Sequence, residues 1–415
     1  MPHPAGQPKR PTDLERFDRL APRPYRTSFM VARFRVLSLM IQKQRLLFVT
    51  GTRADFGKIE PLAKAAIADG FSVSFFVTGM HMLESYGLTK IEVNRLAGAS
   101  VHEFVNQRPS DPQDVILAKT MLGFSDFIME DKPDLVLVHG DRVEALACAL
   151  VCATNYVKCA HIEGGEVSGT IDEILRHCNS KLAYCHFVSS QTAARRVQAL
   201  GEDDSSIHVI GSPELDIHGQ PSGFTLQDVL SHYEIRTADY GICILHPVTS
   251  EAATMGRQAQ DLCAALQASG KYFVVIKPNN DPGSEGILKV LETLPRSQFQ
   301  IIPSMRFGRF SELLRNAGCL VGNSSAGVRE APFLGVASLD VGTRQTDRAF
   351  GPSISKLPAS DMQGILQFIE TNWHKRFARG AEFGDGNATE HFITLLNSEA
   401  FWQRSMQKQF HDIAS

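Results

Sequence analysis

The alternation of apolar and polar positions becomes regular from Arg45 onward. A short apolar run at 46–50 passes through a glycine-containing turn into a helix-like stretch at 59–68. The same pattern predicts strands at 72–78, 135–139, 158–162, 185–188 and 208–210, with helices such as 143–153 and 174–183 between them. Nearly continuous apolar strands that alternate with helices specify a parallel, doubly wound α/β sheet covered on both faces. A polar stretch at 218–224, with Gly219, Pro221, Ser222 and Gly223, breaks the alternation and reads as a linker. Beyond it, strands at 241–245, 272–276, 299–302, 319–321 and 337–340 alternate with helices that include 257–268 and 310–317. The expected architecture is α/β, two Rossmann-like lobes at 41–220 and 235–385, with the active site in the cleft between them. A last helical segment within 386–415, near 391–410, is free to return to either lobe.

Residues 1–40 follow another rule: six prolines alternate with eight Lys/Arg and three acids, without sustained periodicity. They read as a disordered tail, or as a start assigned too early, with the true one at Met40. The remaining composition narrows the function classes. Of 415 residues, 43% are hydrophobic and 21% charged, and 42 Lys+Arg against 45 Asp+Glu leave a net charge of −3. That balance excludes a surface built throughout for nucleic acid. No run of 18 apolar residues is present, so no membrane-spanning helix is expected. The eight cysteines include no CxxC and lie mainly in apolar runs, as reduced core thiols of a cytoplasmic protein do.

Polar residues gather where the predicted strands end. The first strand runs into Gly51-Thr52-Arg53-Ala54-Asp55-Phe56-Gly57-Lys58, a turn whose amides and Arg53 suit an anion; the bland reading pairs Arg53 with Asp55. His139, Asp141 and Arg142 end another strand, where a carboxylate beside a cation serves proton transfer and leaving-group stabilisation, or Asp141 simply caps the next helix. Glu163 and Glu166 follow the next strand, ahead of Asp172, Arg176 and His177. Thr170 and Glu173 have capping-box spacing, and Asp172 and Arg176, four apart, share a helix face on which a salt bridge is the plain reading. In the second half, His246, Asn279, Ser324, Ser325, Glu330 and Arg344 lie after strands, and the small-residue loop 322–327 lets a backbone approach a diphosphate. Neither GxGxxG nor GxxxxGK[ST] occurs, so no dinucleotide cofactor or P-loop is supported; His/Cys spacings match no common zinc pattern.

These motifs, in this order, resemble the hydrolysing UDP-N-acetylglucosamine 2-epimerases of sialic acid biosynthesis, within the wider UDP-GlcNAc 2-epimerase family. The matching stretches are GTRADFGK (51–58), VTGMHM (77–82), VHGDR (138–142), HIEGGEVSGTIDE (161–173), RH (176–177), GSPELD (211–216), HPVTSE (246–251), PNND (278–281), GNSSAGVREAP (322–332) and DVGTRQ (340–345). Non-hydrolysing relatives typically have GTRPE, HGDT and HVEAGLRT at the first, third and fourth of these. The resemblance implies a GT-B arrangement of the lobes, no cofactor, and anti-elimination of UDP from UDP-GlcNAc to a 2-acetamidoglucal, followed by addition of water to give N-acetylmannosamine. It also implies a homodimer or homotetramer. Carried over by position, the resemblance implies that Asp141, Glu163 and Asp172 are the catalytic carboxylates, with Asp216 aligned with a further acid implicated in catalysis. Arg53, Lys58, Arg142, His161 and Arg176 would line the sugar–diphosphate region, and His246, Asn279, Ser324, Ser325, Glu330 and Arg344 would hold UDP. Ser304-Met305-Arg306 departs from the human-type enzymes, which have a histidine-containing segment there. A diacetamido-trideoxyhexose on UDP, or glycosyl transfer to an acceptor, are the alternative reactions.

Overall fold

The computed structural model describes residues 43–109, 111–167, 172–279 and 281–412. The expectation for residues 1–40 lies outside them. The first lobe contains β1 (Arg45–Thr50), α1 (Arg53–Ala68), β2 (Ser72–Val77), α2 (Lys90–Asn94), β3 (Ala99–Glu103), α3 (Gln113–Asp131), β4 (Leu135–His139), α4 (Val143–Thr154) and β5 (Cys159–Ile162). It continues with α5 (Asp172–Leu182), β6 (Cys185–Val188), α6 (Gln191–Ala199) and β7 (Ile207–Val209), and α7 (Glu214–Gly219) leads out of it. The second lobe holds α8 (Leu226–His232), β8 (Gly241–Ile244), α9 (Met255–Ala268), β9 (Phe273–Ile276), α10 (Ser284–Leu291), β10 (Phe299–Ile302) and α11 (Phe307–Asn316). After these come β11 (Leu320–Gly322), α12 (Glu330–Phe333), β12 (Ser338–Val341), β13 (Ile354–Leu357) and α13 (Met362–Asn372), then α14 (Ala388–Leu396) and α15 (Glu399–Gln403).

Both sheets are wholly parallel. The first has the order β3-β2-β1-β4-β5-β6-β7 and the second β10-β9-β8-β11-β12-β13. Each reverses direction once, between β1 and β4 and between β8 and β11, and it is beside such reversals that loops part and leave a crevice at the strand tips. The registers are those of fully buried strands: Phe48 lies beside Phe75 on one side and Leu137 on the other, all three 0–1% exposed.

Several boundaries differ from the sequence reading. Helix α1 begins at Arg53 rather than at 59, because Thr52 and Asp55 close a capping box at its start. β3, α3 and β13 were not anticipated; β3 alternates half-buried and exposed residues at a sheet edge and gives no apolar run. The C-terminal segment is shorter in helix than expected and returns to the first lobe. Phe392, Leu396 and Phe401 pack in that lobe's core with Phe187. Beyond Gln403 the described chain forms neither helix nor strand, and Lys408 Nζ donates to the carbonyls of Lys181 (2.5 Å) and Ala183 (2.7 Å) at the end of α5.

Candidate active site

The turn after β1 is built by Asp55. Its carboxylate accepts from the amides of Gly51 (3.0 Å) and Thr52 (2.8 Å), so it is committed to the loop and not to Arg53. Arg53 instead lies 3.3 Å from Glu92 and reaches within 3.5 Å of Ser304 Oγ in the second lobe. Lys58, one helical turn further on, points its Nζ at Glu163, 3.1 and 3.0 Å from the two carboxylate oxygens.

At the tip of β4, Asp141 does not cap α4; that position belongs to Arg142, which makes no side-chain cap bond. Asp141 pairs with Arg176 on α5. Arg142 Nε is 3.3 Å from the buried carboxylate of Glu144. Asp172 starts α5, but its side chain and Thr170 lie outside the described residues, so neither the expected salt bridge nor the capping box is described. Arg176 also donates to the carbonyl of Glu166 (3.3 Å). Burial, with Arg348 and Arg329 adding their charge, lowers its pKa to about 9.

Glu163, just beyond β5, has φ +63, a left-handed backbone that costs a non-glycine residue about 1–2 kcal/mol. Such strain persists only where the surroundings over-determine it. Gly165 follows with φ +76, and a Cβ there would meet the Ala193 carbonyl oxygen at 2.2 Å. The turn aims a carboxylate that is 5% exposed into a ring of charge. Around it stand Lys58, Arg329 Nη1 at 2.6 Å and His139 Nε2 at 3.5 Å. Glu214, at the start of α7, lies 2.9 Å from the same Arg329 nitrogen and 3.7 Å from Lys58. Glu166 is 3.1 Å from Arg329 Nη2 and 3.5 Å from Arg348, and it accepts from Ser189. Burial alone would push the Glu163 carboxyl up; Arg329, Lys58 and His139 outweigh it and hold it well below the usual carboxylate range.

Across the cleft, Asn323 ties the ends of β8 and β11: its Oδ1 accepts from the His246 amide (2.7 Å) and its Nδ2 donates to the His246 carbonyl (2.8 Å). His246 Nδ1 accepts from the Asn279 amide (3.1 Å), which leaves Nε2 as the donor. Burial, then the charge of Arg344, lowers this imidazole to about 3 and keeps it neutral. Arg344 donates to the Asn323 carbonyl (3.2 Å). Asn279 Nδ2 donates to Asp281 (2.5 Å). Ser324 opens the short turn Ser325–Gly327, its hydroxyl accepting from Ala326 N (3.3 Å). Glu330, 6% exposed, has an oxygen without a hydrogen-bond partner among the described residues. Burial, with Glu214 nearby, raises its pKa to about 7.

Two expected site residues have structural tasks. His161 is fully buried, Nε2 2.8 Å from the Gly140 carbonyl and Nδ1 3.0 Å from Ser180 Oγ, and burial lowers it to about 3. It fastens the β4 turn from beneath rather than lining the cleft. Asp216 accepts from the amides of Ala388 (2.8 Å) and Thr389 (2.7 Å), so its carboxylate caps α14. Conversely, Arg329, Arg348 and Glu214 were missed. An arginine beside Glu330 in a loop of small residues, and an acid after Pro213, were the signals present; nothing local linked them to Glu163.

What the arrangement offers is an ionised carboxylate among cations, a second carboxylate paired with a guanidinium, and a facing lobe whose strand ends present a neutral imidazole, hydroxyls and Arg344. This is equipment for moving a proton while an anion departs. Known proteins are similar to this chain over most of its length. The family model described as UDP-N-acetylglucosamine 2-epimerase matches residues 64–397. A UDP-N-acetylglucosamine 2-epimerase of Neisseria meningitidis serogroup B is 41% identical over 375 residues, 89% of this chain and 99% of the relative. A UDP-N,N'-diacetylbacillosamine 2-epimerase (hydrolyzing) of Legionella pneumophila is 31% identical over 364 residues, 86% of this chain and 96% of the relative. The crystal structure of the Methanocaldococcus jannaschii UDP-GlcNAc 2-epimerase in complex with UDP-GlcNAc and UDP has the same two-lobe fold, with a TM-score of 0.71 at 18% identity over 85% of this chain and 99% of that one. With its two parallel lobes in the GT-B arrangement and this likeness along nearly all of its described length, the chain belongs to the UDP-N-acetylglucosamine 2-epimerase family.

Proposed function

We propose that the protein is a hydrolysing epimerase that converts UDP-GlcNAc and water to N-acetylmannosamine and UDP, supplying sialic acid biosynthesis. The observation that carries this reading is the placing of Glu163, held by Lys58 and Arg329, and of the Asp141–Arg176 pair at the tips of the adjacent strands β5 and β4. A carboxylate removes the proton at sugar carbon 2, and the bond from carbon 1 to the diphosphate oxygen breaks with its electron pair going to UDP. The 2-acetamidoglucal then takes water at carbon 1 and a proton at carbon 2 from the opposite face. Asp141, Glu163 and Asp172 divide these proton transfers. Arg142 and Arg176 stabilise the departing diphosphate, and His246, Ser324, Ser325, Glu330 and Arg344 hold UDP. The glycine-rich stretch 164–169 and Arg142, which follow the hydrolysing pattern, support release of the free sugar.

The test is proton NMR of the protein with UDP-GlcNAc in deuterium oxide, without metal, NAD or acceptor. UDP together with N-acetylmannosamine deuterated at carbon 2 is the expected result; UDP-N-acetylmannosamine as sole product would overturn the hydrolytic reading. The diacetamido-trideoxyhexose on UDP is the second reading, favoured by the Legionella relative's named activity, and the same assay with that sugar separates the two.

A further inference from the structure

One side chain of the second lobe has its partners in the first. Arg329, in the loop between β11 and α12, is 0% exposed, and its two terminal nitrogens stand within 3.1 Å of carboxylates from the turn after β5 and from α7. Its guanidinium carbon lies 5.1 Å from the centre of the Phe383 ring. A guanidinium taken out of water is tolerated only with such partners, and it loses the first-lobe ones when the lobes part. The next residue along, Glu330, belongs to the loop assigned to UDP.

We propose that Arg329 is a positioning residue for the epimerase reaction: delivered by the nucleotide-binding loop, it fixes the Glu163 carboxylate, so that the acid–base site of the first lobe is complete only when the second lobe is docked. The inference rests on the function proposed above. Among the described residues, the charged and titratable groups around Glu163 are Lys58 from α1, His139 from the end of β4, the buried His161 of β5, Glu214 from α7 and Arg329 itself, with Glu166 and Arg348 behind Arg329. Without Arg329, Lys58 and His139 alone oppose burial and the Glu214 charge, and the carboxyl of Glu163 rises.

The experiment measures kcat and KM from about pH 5 to 9 for the unsubstituted protein, Arg329→Gln and Arg329→Lys, with UDP binding by calorimetry as the check of folding. For Arg329→Gln we expect kcat to fall about 100-fold with KM within about threefold. The acid limb of the kcat profile should move up by about one pH unit or more, with partial recovery of both in Arg329→Lys. An equal fall at every pH with an unmoved limb would mean a merely structural role and overturn the proposal. Should Arg329→Gln fail to bind UDP, Arg329→Lys carries the comparison, and a limb identical to that of the unsubstituted protein overturns it. Absence of turnover by the unsubstituted protein with either sugar nucleotide would count against the proposed function alone. The Glu163 carboxyl is then titrated directly by carbon-13 NMR, its signal identified by loss in Glu163→Gln. Titration unchanged by the Arg329 substitution would sink the positioning role.

Discussion

Asp141 and Glu330 are both carboxylic acids at loop positions, and their surroundings set them opposite tasks. Asp141 is partnered by the Arg176 guanidinium at the tip of β4. On the mechanism proposed above, Asp141→Asn removes a charge used mainly in the transition state, so turnover should fall by about 100-fold or more while UDP affinity stays within about threefold. Steady-state kinetics beside calorimetry checks both. Glu330 is held protonated by burial, with a pKa of about 7 against an ordinary 4.5. The folded state therefore binds a proton that the unfolded chain has released over that interval. Its stabilising effect is full below about pH 4.5 and is lost as the pH rises through about 7. Glu330→Gln should flatten this slope and raise stability near pH 8 by about 1–3 kcal/mol in urea unfolding. A slope unchanged by the substitution would show that Glu330 does not titrate there.

At the scale of elements, the strand-to-helix turns and the helix caps set the site. The amide groups at the start of α14 have no partners of their own helix, and Asp216 supplies them from α7, 172 residues earlier in the chain. Asp216→Ala should cost about 1–2 kcal/mol in urea unfolding, the loss of a cap with two hydrogen bonds. The turn after β5 is constrained from both sides: Gly165 has no room for a side chain, and its carbonyl accepts from Arg196 (3.2 Å) while that of Glu166 accepts from Arg176. That bracing is what sustains the left-handed backbone of Glu163.

For the whole molecule, the chain's return matters most. After building the second lobe it comes back to bury Phe392, Leu396 and Phe401 against Phe187 and Ile210 in the first. Phe392 is 0% exposed, and Phe392→Ala should cost about 3–5 kcal/mol. Because the segment carrying it follows the second lobe and completes the first, we expect both to unfold in one transition. Coincident far-ultraviolet circular dichroism and tryptophan fluorescence curves in urea would agree with this; separate midpoints would not.

Much of this plan was legible along the chain because its causes are local. A parallel strand covered on both faces must be apolar throughout, so β1, β4, β5, β6, β8 and β9 announced themselves, and the polar residues at their tips marked the crevice before any lobe was built. The family motifs put Asp141 and Glu163 just past β4 and β5, Asp172 at the start of α5, and Glu330 and Arg344 beyond β11 and β12. Edge strand β3 stayed hidden because its half-exposed residues carry no such constraint. The partner of Glu163 stayed hidden for a different reason: Arg329 is 166 residues away, and a buried ion pair depends on how two surfaces meet. The same holds for Asp216, drawn into a helix cap, and for His161, drawn beneath a turn. Periodicity and residue type record which face of an element is dry; charge state and pairing follow from the local dielectric and from neighbours that only folding brings within a few ångströms.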